Sequence, residues 1–388
     1  MKVNEQELLE LLQELIRIES VNPTLANEGS GEQEIAHYLG NYMEKIGLEV
    51  RYQELGKNRT NVIGTLRGSG RGKNLMLNGH TDTVSLKGMD DPLNGRYESG
   101  KVYGRGAVDM KGGIAAMMMA VKAIVDSEIQ LKGNVILTLV ADEEYASAGT
   151  EAVSKKFTAD AAIVCEPSDL DIVIAHRGFA WIKVNIHGKA AHGSLYDVGI
   201  DAITKAGKLL AGIEELGKEF LEQEPHPLLG SRSIHASLIS GGIGLSTYPD
   251  KCTVELERRT LPGEDKKTVE EEIKALNDRL ASEDEEFRAD YEVFFYRPAL
   301  EVTKDQLIVK TLENACKKVL DREPAYSGMR GWLDSAILAE VGIPTVIFGP
   351  GGDGMHAAVE YVDFESVKTT AEVLFETIID FCNTEIIQ

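Results

Sequence analysis

Thiolate pairs are missing from this sequence. Its four cysteines, Cys165, Cys252, Cys316 and Cys382, are widely spaced and none lies in a CxxC pair. That excludes a thiolate zinc ribbon and a disulfide frame, and reads as reduced, buried thiols. Positive charge is also short: 41 Lys and Arg stand against 63 Asp and Glu, a net −22. The basic footprint that nucleic acid or an anionic membrane requires is therefore absent. No apolar run reaches the roughly 18 residues of a membrane span. The opening MKVNEQELLELLQELIRI lacks the apolar centre of a secretory signal and reads as an amphipathic helix, so the cytoplasm is the expected compartment. GSGRGK at 68–73 lacks phosphate-loop spacing, and a strand follows where a helix should. No glycine triad joins a strand to a helix as a dinucleotide site needs, and no serine elbow is visible.

What is present is enough apolar material, 43% of 388 residues, for two to three domains at roughly 150 residues each. Asn4 and Glu7 resemble a capping box ahead of helically spaced leucines. Strand-like runs follow at 48–53, 61–66 and 74–78, an apolar helix at 112–126, and buried strands at 133–140 and 161–165. This alternation predicts a three-layer α/β domain with a mixed central sheet. From about residue 179 the order becomes strand 180–187, helix 198–216, strands 234–240 and 250–258, helix 266–282, strand 290–296. That β-α-β-β-α-β order predicts a ferredoxin-like α+β insertion over 179–291. The α/β pattern resumes with helices 304–320 and 333–341, strand 344–348 and helix 363–383, giving a domain built from 1–178 and 292–388.

The apolar strands of the first domain end in metal-ligand residue types. NLMLNGHTDT ends in His80 and Asp82, GNVILTLVADEE in Asp142, Glu143 and Glu144, and AAIVCEPS in Glu166. Asp109 precedes the 112–126 helix, and His356 follows the last strand. Taken singly, a histidine after a strand is usually a hydrogen-bonding residue, and an acidic run a solvated loop. Jointly, the strand ends of an open α/β sheet bring them to one edge. Imidazoles and carboxylates without a thiolate suit a pair of divalent cations, zinc first, with cobalt or manganese as alternatives. Three ligating carboxylates against two dications leave +1, which a bridging hydroxide would cancel; a single cation would leave buried charge uncompensated. Glu143 and Glu144 are neighbours, and the sequence alone does not decide which of them ligates.

HTDTV at 80–84, GRGAVDMKGG at 104–113, ADEE at 141–144, CEPS at 165–168 and MHAAVEYVD at 355–363 resemble the two-zinc amidohydrolases and exopeptidases. That family includes acetylornithine deacetylase, succinyl-diaminopimelate desuccinylase, aminoacylase and glutamate carboxypeptidase. The resemblance covers nearly the whole chain. It implies that His80 and Glu166 bind one zinc, Glu144 and His356 the other, and that Asp109 bridges both. It further implies that Asp82 hydrogen-bonds the first histidine ligand and that Glu143 is the general base. It places a cis peptide bond after Asp109. GKAAHGS at 188–194 resembles the family's lid motif, so His192 would polarise the scissile carbonyl, commonly from the partner subunit of a dimer formed through the inserted domain. Arg259 in ELERRTLPGE would meet a substrate carboxylate, while Arg258, on the opposite strand face, reads as a surface charge. Ser246 stands where the family usually has asparagine. GWLDSAIL at 331–338 matches the family's segment near the substrate pocket; Asp334 there is a weaker candidate, since an aspartate at a helix N-terminus is commonly a cap. Gly351, in GPGG, would approach substrate with its backbone, with a plain turn as the alternative reading.

The expected activity is hydrolysis of the amide bond of a small N-acyl amino acid. A di- or aminopeptidase is the alternative within the class. A non-catalytic metal-binding relative is the alternative outside it, and would have lost a ligand or the base; all are present here.

Overall fold

The computed structural model describes residues 3–320 and 322–385, so the expected outer limits at 1 and 388 lie outside the described residues. The chain divides into two compact units. Of the described residues, the first unit holds those up to 174, those within 302–327 and those from 333 on; the second holds 175–301 and 328–332.

The first unit opens with α1 (Glu5–Arg17), whose first turn Asn4 caps by accepting from the Gln6 and Glu7 amides, and α2 (Gln33–Lys45). Then come β1 (Glu49–Gly56), β2 (Arg59–Leu66), β3 (Leu75–His80), β4 (Arg96–Glu98), β5 (Lys101–Tyr103), α3 (Gly112–Asp126), β6 (Val135–Val140), α4 (Ala148–Ser154), β7 (Ala161–Val164) and β8 (Ile172–His176). The second unit holds β9 (Gly178–His187), α5 (Ala202–Glu222), β10 (Ser233–Gly241), β11 (Lys251–Thr260), α6 (Lys266–Glu283), β12 (Arg288–Arg297) and β13 (Leu300–Glu301). The chain returns through α7 (Leu307–Val319), β14 (Tyr326–Met329), α8 (Ser335–Glu340), β15 (Thr345–Ile347), β16 (Gly352–Asp353), β17 (Tyr361–Asp363) and α9 (Phe364–Cys382). The division between units falls within β8 and β14.

The fold is mixed α/β. The central sheet runs β1-β2-β6-β3-β7-β15-β8, with β6, β3, β7 and β15 parallel and β1, β2 and β8 antiparallel to their neighbours. Every residue of β3, β6 and β7 is buried, as parallel strands covered on both faces must be. Helix α3 follows a glycine pair and is buried along most of its length against α9. Because the four parallel strands point the same way, the residues after His80, Val140, Val164 and Ile347 reach the same sheet edge. A second, four-stranded antiparallel sheet, β16-β17-β5-β4, pairs Val362 with Val102 and Tyr361 with Tyr103. Its strands are two or three residues long and carry no hydrophobic pattern that the sequence would reveal.

In the second unit the sheet order β10-β11-β9-β12, all antiparallel and covered by α5 and α6, is a ferredoxin-like arrangement. Strand β9 alternates with period two, and Ala180, Ile182, Val184 and Ile186 enter a core with Leu209, Ile213, Val269 and Ile273. Each fully buried Val, Leu or Ile contributes roughly 1.5–3 kcal/mol. This unit is longer than 179–291: Tyr291 lies in mid-strand of β12, which pairs with β9 as far as Arg297. Arg258 is a correction. It is fully buried, not a surface charge, because it shares the inward face of β11 with Cys252, Val254 and Leu256. Glu264 (2.9 Å) and Glu272 (2.8 Å) neutralise its guanidinium there, as a buried charge requires.

Candidate metal centre

At the sheet edge, five side chains form two trios that share one carboxylate. His80, the last residue of β3, places Nε2 3.0 Å from Asp109 Oδ1 and 3.5 Å from Glu166 Oε1. His356, in the loop between β16 and β17, places Nε2 3.2 Å from Asp109 Oδ2 and 3.1 Å from Glu144 Oε2. Asp109 thus turns one oxygen to each trio. It lies in the turn Ala107–Lys111, and its peptide bond to Met110 is cis, as the resemblance implies. Glu143 belongs to neither trio.

The donor set fits two dications. Each trio offers imidazole and carboxylate atoms within 4.8 Å of one another, the hard-to-borderline donors that zinc, cobalt and manganese accept. Packed together without cations, the same groups crowd negative charge and hold protons instead. Burial lowers the His80 pKa, but the carboxylates of Glu166, Asp109 and Asp82 outweigh it and hold it well above the ordinary range. Hydrogen bonds to Asp109 and Glu144 carry His356 up to about 10. Burial, with Asp109 and Glu144 nearby, pushes Glu166 up to about 8. Burial works against Asp109 ionising, but its hydrogen bonds to His356 and His80 hold its carboxyl low.

A pH dependence follows. All three raised groups bind protons more tightly folded than unfolded. Their stabilisation of the cation-free fold is complete at low pH. It is lost as pH rises, from 4.5 to about 8 for Glu166 and from 6.5 to about 10 for His356. Ligation must displace these protons. Loading zinc at pH 7 should release roughly three protons per chain. Calorimetric enthalpies measured in buffers of different ionisation enthalpy read that number directly, and equal enthalpies in all buffers would contradict it.

Behind the ligands lies a supporting layer of which the sequence disclosed only Asp82. His80 Nδ1 lies 2.9 Å from the main-chain carbonyl of Asp82 but 3.6 Å from its carboxylate, beyond hydrogen-bond range. The expected contact from the Asp82 side chain is therefore corrected to one from its carbonyl, which fixes the ring with Nε2 facing the trio. The Asp82 carboxylate is engaged elsewhere, accepting from the amides of Glu143 (3.1 Å) and Glu144 (3.2 Å) and from Asn22 Nδ2 (2.8 Å). It sets the backbone that presents both glutamates. Asn22, fully buried, also donates to Asp142, which Arg59 ties to Glu32. Asp142 holds φ at +74° just before Glu143, a conformation that a non-glycine residue keeps only when its surroundings impose it.

Two further residues differ from expectation. Asp334 makes no capping bond; it is buried and accepts from Thr150 Oγ1 at 2.6 Å, and burial raises its pKa to about 6. The amide of Gly351 donates to Ser366 Oγ, and its carbonyl accepts from Ser366 Oγ and the Asp363 amide. Its backbone is thus engaged inside the fold and is not offered to substrate. A side chain there would meet Asp169 Oδ1 at 2.4 Å.

His192, Ser246 and Arg259 belong to the second unit. His192 is exposed, with Nδ1 2.8 Å from Ser194 Oγ, and forms a bridge with Thr247. The Gly193 amide donates to the Ser246 carbonyl at 2.7 Å, so the two loops meet. Arg259 stacks its guanidinium 5.1 Å from the Phe179 ring centre while Glu257 engages its Nε at 2.8 Å.

A model of peptidase family M20/M25/M40 matches residues 76–380. The chain belongs to this family. M20 members are hydrolases of amide or peptide bonds that bind a pair of metal ions, and this chain is a metal-dependent hydrolase of that class. It is 29% identical to an N-formyl-4-amino-5-aminomethyl-2-methylpyrimidine deformylase of Bacillus subtilis, over 98% of this chain and 96% of the relative. It is also 29% identical to an acetylornithine deacetylase of Myxococcus xanthus, over 88% of this chain and 90% of the relative. The aminopeptidase PepT of Bacillus cereus shares the fold, with a TM-score of 0.80 over 98% of this chain and 99% of that one, at 23% identity. No described helix is long and apolar enough to cross a membrane.

Proposed function

We propose that the protein hydrolyses the amide bond of a small N-acyl amino acid, as a two-zinc deacylase of the acetylornithine deacetylase and succinyl-diaminopimelate desuccinylase kind. The observation that carries this reading is Asp109 facing two trios, His80 with Glu166 and His356 with Glu144. The curated relatives, a deformylase and a deacetylase, support an acyl–nitrogen bond as the target.

When bound, the cation pair makes the attacking water acidic and polarises the scissile carbonyl. The rest of the chemistry falls to the chain. Glu143, held beside the trios but outside them, takes a proton from the attacking water on its carboxylate and delivers it to the leaving nitrogen. Desolvation, reinforced by Glu166, Asp334 and Glu144, raises its pKa, which suits a group that must hold the proton between the two transfers. Asp82 keeps Glu143 and Glu144 in place through their amides. Arg259, whose Nε is taken by Glu257, presents its terminal nitrogens to the substrate carboxylate. Ser246 lines the substrate beside the His192 loop, offering a shorter reach than asparagine.

His192 supplies the donor that stabilises the developing oxyanion, from the partner subunit of a homodimer formed through the inserted unit. The exposed edge strand β10, with Leu238 and Ile239 solvent-facing and Ile243, Leu245 and Tyr196 exposed nearby, supports that role for this unit. The cytoplasm is the proposed compartment. Turnover of a panel of N-acetyl, N-succinyl and N-formyl amino acids against di- and tripeptides, with zinc, cobalt or manganese, tests the substrate class. N-acyl amino acids should be cleaved. Turnover of peptides alone would replace the deacylase by a peptidase. His192→Ala should abolish turnover and keep both metals.

A further inference from the structure

Glu360 lies four residues beyond His356 and is buried with Arg105, at 1% and 2% exposure. It joins neither trio, yet its carboxylate accepts four bonds. Oε2 takes Arg105 Nη1 at 2.7 Å and the Gly106 amide at 3.1 Å; Oε1 takes the amides of Val108 at 3.1 Å and Asp109 at 3.3 Å. Arg105 then reaches across, donating from Nη2 to the Ala357 carbonyl at 3.1 Å and from Nε to the Ser85 carbonyl at 3.1 Å. The pair therefore grips the backbone on both sides: the segment that presents Asp109, and the residue next to His356. The pairing of β5 with β17 brings these two segments side by side.

The two trios differ in how they are anchored. His80 ends β3, and Glu166 follows β7 by one buried residue. His356 stands on a loop, half exposed, with φ at +61°. That conformation persists only where the surroundings impose it. An apolar pair of equal volume would stabilise a buried site as well as an ion pair does; three amides and a guanidinium converging on one carboxylate fix a loop geometry instead.

We infer that Glu360 and Arg105 are positioning residues for the cation held by Asp109, Glu144 and His356. The inference rests on the two-metal reading above and names the residues that set one of its two sites. Cobalt titration of the cation-free protein, followed by visible absorption and by metal analysis after desalting, tests it. In Glu360→Gln the second equivalent should bind about 10–100-fold more weakly while the first is nearly unchanged. Arg105→Lys keeps the charge but not the two-armed bridge, and should fall between wild type and Glu360→Gln. Two cations bound with wild-type affinities in both variants would overturn the inference and leave the two-metal reading intact. Parallel weakening of both cations together with a lowered melting temperature would also overturn it, by showing a merely structural pair. If Glu360→Gln does not fold, Arg105→Lys decides between the same outcomes. A wild-type protein that takes fewer than two cobalt ions would overturn the two-metal reading itself.

Discussion

Glu143→Ala should lower kcat by roughly 10²–10⁴-fold, the range of a positioned acid–base group, while the protein keeps two cations per chain. The expectation follows from geometry. Glu144 Oε2 lies 3.1 Å from His356 Nε2, whereas Glu143 belongs to no ligand trio. Both amides hang on the Asp82 carboxylate, so removing the Glu143 side chain leaves that backbone anchored. The melting temperature should therefore change little. Steady-state kinetics with metal analysis of the same preparation make the comparison. Loss of a cation in Glu143→Ala, with full occupancy in Glu144→Ala, would mean that the two neighbours exchange roles.

Asp109→Ala should have the broader effect. Its two oxygens face different trios, one 3.0 Å from His80 Nε2 and the other 3.2 Å from His356 Nε2. Removing them should weaken both cations together. Glu166→Ala and His356→Ala should each empty one site. Losing the cations removes several kcal/mol of transition-state stabilisation, on the order of 10³–10⁴-fold in rate. Metal content per chain in the three variants reads the pattern, and equal losses in all three would contradict a shared bridge.

Much of this architecture was legible because apolar strands and chemical residues coincide in the sequence. β3, β6 and β7 are continuous apolar runs that stop at HTD, DEE and CEP, so the parallel-sheet rule gathers their ends. The insertion was legible from a change of period: β9 alternates where the preceding strands do not. What stayed hidden depends on tertiary partners. Arg258 reads as surface by charge alone, and only the packing of β11 against α6 brings Glu272 to it. Asp334 sits where helix caps sit, yet its partner, Thr150, is far away in sequence. The β4-β5-β16-β17 sheet is too short and too polar to announce itself, so the link between Asp109 and His356 through Arg105 and Glu360 appears only in three dimensions. Gly351 invites a reading by what glycine permits toward a ligand, whereas Ser366 and Asp363 already occupy its backbone. The Asn22–Asp142–Arg59–Glu32 chain behind Asp82 left a weaker signal. Its members are common surface types, and only burial marks them as a unit.

Anomalous diffraction from crystals of the zinc-loaded protein addresses the central claim most directly. Two zinc peaks per chain, about 3.5–4 Å apart, should appear with one Asp109 oxygen on each. A single peak, or two peaks with both Asp109 oxygens on the same ion, would contradict it.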